Sequence, residues 1–313
     1  MSIAVALSTM WAQQPRFEAD LAAFATIARA AGFSHIEVSH STDERGLREL
    51  MSQSVLPLSS LHAPAPRERT SGGWNTDLNL AAEDEAERAA AVAATLRTID
   101  LAAEAGAGSV VVHLGAIGAR GLPADGAMRR LYAAEAIASP EAEMQRRAAA
   151  EQREAGQAAA MRAARRSLAE LADHARRRGV RIGLENRMWY HEIPLPEELA
   201  ALLADHEPET VGYWHDVGHA EILHRLGLVP LEDWFRIAGG RLIGCHLHDM
   251  QGIVDHRAPG TGDVDWAFLR DRLASATVRT FEINQHQAQE LLAQALERLR
   301  REGIVPAAAV GRQ

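Results

Sequence analysis

Short apolar runs rich in β-branched residues alternate with longer Ala-, Leu- and Arg-rich amphipathic stretches along the whole chain. Eight runs read as strands: "IAVALST" (3–9), "HIEVSH" (35–40), "PLSSLHA" (57–63), "SVVVHLG" (109–115), "RIGLEN" (181–186), "TVGYWHD" (210–216), "LIGCHLHD" (242–249) and "RTFEIN" (279–284). The stretches 17–31, 83–105, 160–178, 196–205, 230–238, 265–274 and 286–302 read as helices, several of them stopped by glycine, which a helix C-terminus favours. Strands alternating with helices predict an α/β fold. Eight such units predict a closed (β/α)8 TIM barrel rather than an open sheet. "LSTMWAQQPR", after the first run, lacks the G-x-G-x-x-G loop that often opens a dinucleotide-binding sheet.

One stretch breaks the rhythm. Residues 116–160 are long for a β-α connection and rich in Ala, Arg and Glu, and they read as a helical insertion after the fourth strand. That position puts the insertion at the C-terminal face of the barrel, as a lid or an oligomer contact. The whole of 1–313 reads as one barrel domain, since a barrel of about 250 residues plus insertions absorbs this length. A homo-oligomer stays open, with no interface legible.

Composition narrows the chemistry. With 47% hydrophobic and 24% charged residues the chain has material for a sizeable core. The net charge of -9 gives no general attraction to nucleic acid or an anionic membrane and argues against either as a partner. "MSIAVALSTMWAQQPRF" has neither a basic leader nor a long apolar core, and no later run is long enough to cross a bilayer, so a cytoplasmic protein is expected. Cys245 is the single cysteine, which excludes an intrachain disulfide and a thiolate zinc cluster. Any metal must therefore be held by His, Asp and Glu.

In a barrel the C-terminal ends of the strands converge on one site. Asp216 closes the sixth run, and Glu185, His246 and Glu282 hold the same place on the fifth, seventh and eighth. Such a set of carboxylates and one imidazole suits a single divalent cation, Mn²⁺, Co²⁺ or Mg²⁺, with Zn²⁺ also admissible. His62 and His113 end the third and fourth runs, His219 follows Asp216, and His256 lies in "DHRAPGTGDVDW". These four are open between contacting a substrate and ligating metal. His248 shares the His246 face if alternation persists, and it or Asp249 is a candidate to orient a ligand. Trp11, Trp189, Trp214 and Trp266 lie near strand ends without an assigned role, and His35, His174, His206, His224 and His286 read as surface or core residues.

"AGFSHIEVS" with Glu37, then "LENR", "HDVGHA", "HLHD", "PGTGDVDW" and "FEI", resemble in order the xylose isomerase-like TIM-barrel superfamily over nearly the whole chain. That superfamily joins sugar isomerases and ketose 3-epimerases, inosose dehydratase-like enzymes and endonuclease IV-type nucleases. The resemblance implies that Glu185, Asp216, His246 and Glu282 are the metal positions of the single-metal sugar enzymes and that His219 binds substrate. Against the three-zinc nuclease pattern, His62, His113, Glu185, Asp216, His219, His246, His256 and Glu282 match as well, while the ninth ligand falls on Val254 with Asp255 beside it. Where several ketose epimerases carry a loop arginine, this chain has His256 followed by Arg257.

The expected function is a metal-dependent sugar isomerase or epimerase acting through an enediolate. Glu185 and Glu282 would be the proton-transfer pair, and His62, His113, His219, His256 and Arg257 would contact a small-molecule sugar. Alternatives are a zinc phosphodiesterase, and a keto-sugar or keto-glycoside lyase or dehydratase using the same metal site.

Overall fold

The computed structural model describes residues 3–118 and 121–307. The eight expected strands are β1 (Ala4–Ser8), β2 (His35–Val38), β3 (Leu58–His62), β4 (Ser109–Val112), β5 (Arg181–Glu185), β6 (Val211–Asp216), β7 (Leu242–Leu247) and β8 (Val278–Phe281). Each pairs in parallel with its neighbours in sequence, and β8 pairs with β1 to close the barrel. Nearly every strand residue is buried, because helices cover the outer face while side chains fill the inner one. This two-sided burial explains why the strands read as continuous apolar runs.

The surrounding helices are α1 (Leu21–Ala31), α2 (Glu44–Ser52), α3 (Glu85–Glu104), α4 (Pro123–Ala133), α5 (Pro140–Arg178), α6 (Pro196–Ala204), α7 (Val217–Arg225), α8 (Leu231–Ala238), α9 (Trp266–Arg272) and α10 (Glu290–Arg301). Carboxylates cap several of them: Asp20 accepts from Ala23 N, Asp43 from Gly46 N and Asp84 from Glu87 N, each at 2.8 Å. Among the described residues no helix is long and apolar enough to cross a membrane.

The helix expected to start at 160 starts at Pro140 and runs unbroken to Arg178, so the rear of the 116–160 segment is continuous with a barrel helix. Ser139 caps its start, Gly179 in the left-handed conformation ends it, and nothing in between stops it. Gly156 inside it lets Ile117 approach to where a Cβ would stand 2.4 Å away. Residues of α4 and α5 bind the loop after β5. Asp125 accepts from Tyr190 N at 2.8 Å, and Arg129 and Arg153 donate to the carbonyls of Met188 and Tyr190.

The barrel interior is set by one large side chain between two small residues. Trp214 on β6 is fully buried and pairs in register with Gly244 on β7. A Cβ on Gly244 would stand 2.2 Å from the Trp214 ring, and one on Gly183 of β5 would stand 2.8 Å from it. Side chains on a strand alternate, so Gly183, Trp214 and Gly244 share the inner face with Glu185, Asp216 and His246, two positions further on. The indole is thus the floor of whatever those three residues build, with its ring 5.5 Å from that of His246.

Overpacking such a layer costs roughly 1–3 kcal/mol. Gly244→Ala is expected to lower the denaturant midpoint accordingly, whereas Gly240→Ala, with open space around it, is expected to leave stability within about 0.5 kcal/mol of the parent. Equal midpoints for the two variants would contradict this packing.

Candidate active site

Each inner-face residue arrives on its own strand end. Glu185 ends β5, Asp216 ends β6, His246 lies near the end of β7, and Glu282 and His113 stand one residue beyond β8 and β4. Asp216 also starts a helix. Its side chain accepts from His219 N at 2.7 Å and so caps α7, which begins with no loop between strand and helix. That direct junction carries His219 back over the barrel mouth. Asn186 holds the turn, donating to Asp216 O at 2.9 Å and accepting from Asp216 N at 2.8 Å.

His246 Nδ1 is the point on which the buried carboxylates converge. It lies 3.1 Å from Glu282 Oε2, 3.3 Å from Glu185 Oε1 and 3.4 Å from Asp216 Oδ2. Its other nitrogen, Nε2, faces Glu37 Oε1 at 3.0 Å, and Glu37 Oε2 in turn accepts from Ser60 and Thr280. Glu37 Oε1 accepts from Nε2, which leaves Nδ1 as the nitrogen that would offer its lone pair to a cation. One ring nitrogen cannot donate to three carboxylates at once. The four residues offer one ligand atom each, all within 4.8 Å of one another, and this buried set of three anions and an imidazole could hold a divalent cation.

Without a cation, the proton on His246 Nδ1 takes its place among the carboxylates. Burial alone would raise the carboxyls of Glu185 and Asp216, but the imidazoles of His113 and His246 around the first, and of His219 and His248 around the second, hold both well below the usual carboxylate range. Glu282 is also lowered against its burial, chiefly by His246 and His256. Burial would depress His246, yet the carboxylates of Glu282, Glu37 and Glu185 hold it well above the ordinary histidine value. All three carboxylates are therefore ionised in a buried place, with the raised imidazoles of His246 and His256 as counter-charges that a bound cation would supplement.

Further imidazoles surround this centre. His62 Nε2 and His113 Nε2 approach Glu185 Oε2 at 3.0 and 2.7 Å. Arg187 Nη1 also lies 2.6 Å from His113 Nε2, and burial and Arg187 hold this imidazole well below the ordinary histidine value. His219 Nδ1 donates to Asn186 O at 3.1 Å. His248 bonds through Nε2 to both oxygens of Asp216, at 3.0 and 3.1 Å, and accepts from His256 N at Nδ1, so it orients a carboxylate of the centre. Asp249 instead ties the following loop, accepting from Met250, Gly260 and Val264.

Two smaller groups adjoin the central one: His62 with Glu185 and His246, and Asp216 with His219 and His256. Val254, beside the second, is 63% exposed. Asp255 takes the His256 Nδ1 bond at 3.0 Å, which helps to raise the half-buried imidazole to about 10 and lower the carboxyl to about 2.

A cavity of about 380 Å³ opens over the centre, lined by Glu185 and Glu282 but not by Asp216 or His246. His62, His113, His219 and His256 also line it. Arg257 does not join them: its Nε donates to Thr261 O at 3.1 Å, and the side chain is spent on closing its own loop. The four tryptophans are absent from the lining. Two residues unassigned from sequence do line it, His40 and Arg187. His40 stands edge-on to His62 at 4.7 Å, and burial together with His62 pushes it down to about 3, so it is a neutral imidazole. Its position at the end of the second strand run was the signal available.

Residues 25–302 match the family described as "Xylose isomerase-like TIM barrel". The chain belongs to that family. An uncharacterised protein of Sinorhizobium fredii (strain NBRC 101917 / NGR234), y4fM, is 30% identical over 116 residues, 37% of this chain and 36% of its own length. A D-tagatose 3-epimerase-like protein superposes with a TM-score of 0.65 at 18% identity, covering 96% of this chain and 97% of that one. The TTHB071 protein of Thermus thermophilus, solved after soaking with ZnCl₂, gives 0.56 at 23% identity, covering 95% and 98%. Likeness at these identities is likeness of fold.

If Glu37 fixes the His246 tautomer, Glu37→Gln will weaken Mn²⁺ binding by about 10- to 100-fold in a competitive chelator titration. Unchanged affinity would show that Glu37 does not orient the ligand.

Proposed function

We propose that this family member is a divalent-metal-dependent sugar isomerase or epimerase. The observation that carries the reading is the division of labour within the four-residue centre. Asp216 and His246 lie behind it, while Glu185 and Glu282 also face the cavity, where a carboxylate can exchange a proton with a bound molecule. A cavity of about 380 Å³ suits a monosaccharide. The D-tagatose 3-epimerase-like protein of the same fold bears a name in line with this chemistry.

Glu185, Asp216, His246 and Glu282 would hold the cation. When bound, it would supply electron withdrawal from a carbonyl and its neighbouring hydroxyl, making the adjacent C–H acidic enough for a carboxylate base. One of Glu185 and Glu282 removes that proton to leave an enediolate, and the other returns one to the opposite face for epimerisation or to the neighbouring carbon for isomerisation. His219, His62, His113 and neutral His40 bind hydroxyls around the cavity, and His256 closes its outer side.

A second reading, a zinc phosphodiesterase, is favoured by the two adjoining groups of potential ligands. It is weakened by Val254 at the ninth-ligand position and by the use of Asp255 on His256. Cleavage of an abasic-site duplex, lost on chelation, would support it. A lyase or dehydratase would use the same proton-removal step and differ only in releasing an unsaturated product.

Glu185→Gln and Glu282→Gln are each expected to reduce solvent-deuterium incorporation into a turned-over ketose by at least about 10²-fold. Mass spectrometry or NMR of the sugar reads the outcome, and undiminished exchange in either variant excludes that residue as an obligatory base.

A further inference from the structure

The site cavity continues into a second one of about 320 Å³, the two sharing Met10, His40, Thr76 and His256. The walls differ in charge. The first carries Glu185 and Glu282, whereas no Asp or Glu lines the second, whose far side is Arg67 with Ser41, Asn284 and Gln285. Arg67 also borders a third, outer cavity of about 660 Å³, where Arg45 stands with Glu18 and Asp43.

Arg67 is held for use rather than consumed by the fold. Its guanidinium lies 3.8 Å over the Trp74 ring. The backbone that presents it is pinned from both sides: Arg67 N donates to Thr42 O at 2.8 Å, and buried Asn75 donates to Pro66 O and accepts from Glu68 N. Nearby carboxylates are occupied elsewhere. Glu44 and Glu68 pair with Arg97, Asp43 caps α2, and Asp77 accepts from Trp74 N. Among the described residues the guanidinium has neither an ion-pair partner nor a hydrogen-bond acceptor. Arg187 and Arg45, the other cleft arginines, are bonded to Glu192 and to Glu18 O.

We propose that the sugar turned over here carries an anionic group, a phosphate ester or a carboxylate, on the end remote from the metal centre, and that Arg67 recognises it. This rests on the sugar reading above. The reacting end occupies the first cavity, already large enough for a monosaccharide, and the charge sits in the carboxylate-free second cavity. A planar guanidinium braced on an indole offers paired N–H donors at little further entropic cost.

Isothermal titration calorimetry of the Mn²⁺-loaded protein tests this with neutral ketohexoses, their 6-phosphates and hexuronates, on wild type, Arg67→Gln and Arg69→Gln. Arg69 stacks on Trp74 as well but does not line the second cavity. The anionic sugars are expected to bind at least about ten-fold more tightly than the neutral ones, an advantage abolished by Arg67→Gln and kept by Arg69→Gln. Preference for the 6-phosphates identifies a phosphate ester, and preference for the hexuronates a carboxylate. Equal affinities, no binding by any anionic sugar, or an advantage that survives Arg67→Gln overturns the proposal. Anionic sugars that bind through Arg67 yet exchange no proton in D₂O would overturn the isomerase reading and leave the anion subsite standing.

Discussion

Three ionised carboxylates buried around one histidine nitrogen govern the rest of this molecule. Glu185, Asp216 and Glu282 each come within 3.4 Å of His246 Nδ1, which has at most one proton to give. Removing such charges from water costs several kcal/mol per ion unless an opposite charge joins them. Glu37, by accepting from Nε2, leaves Nδ1 as the nitrogen that a cation would take in place of a proton, so that the cluster can serve as a ligand set. His248 does the corresponding service for Asp216.

The barrel makes this arrangement rigid. Parallel strands deliver one side chain each to the mouth, and the Trp214 indole between Gly183 and Gly244 fills the layer beneath, so the ligands cannot sink into the core. Asp216 links the centre to the fold most tightly, since the same carboxylate caps α7 and thereby sets where His219 stands. Chemistry and cleft then separate by depth. Asp216 and His246 stay behind, Glu185 and Glu282 reach the cavity, and the imidazoles of His40, His62 and His113 form its wall.

Much of this was legible in the sequence because barrel strands are buried on both faces and their ends share one direction. The eight runs and the strand-end positions of Glu185, Asp216, His246 and Glu282 follow from that rule alone. His40 obeys the same rule but lies in a run where another polar residue, Glu37, is the more conspicuous. The pattern does not mark α7, since it starts at the strand end without a turn to announce it. The start of α5 is hidden because Ala, Arg and Glu continue through 140–178 with no breaker, and Gly156 there serves packing rather than termination. Arg257 looks like a site residue from its neighbours in the chain, but its side chain bonds its own loop. Arg67 has no periodic signal, since its position depends on loop contacts to Thr42 and Asn75.

The central claim is that the buried carboxylates and His246 together hold one divalent cation. Elemental analysis of protein purified without chelator or histidine tag, combined with anomalous scattering at the metal edge from its crystals, tests it directly. The account predicts at least one divalent ion per chain, with a peak among Glu185, Asp216, His246 and Glu282. A chain without stoichiometric metal, or a peak only at His62 and His113 or at His219 and His256, would contradict it.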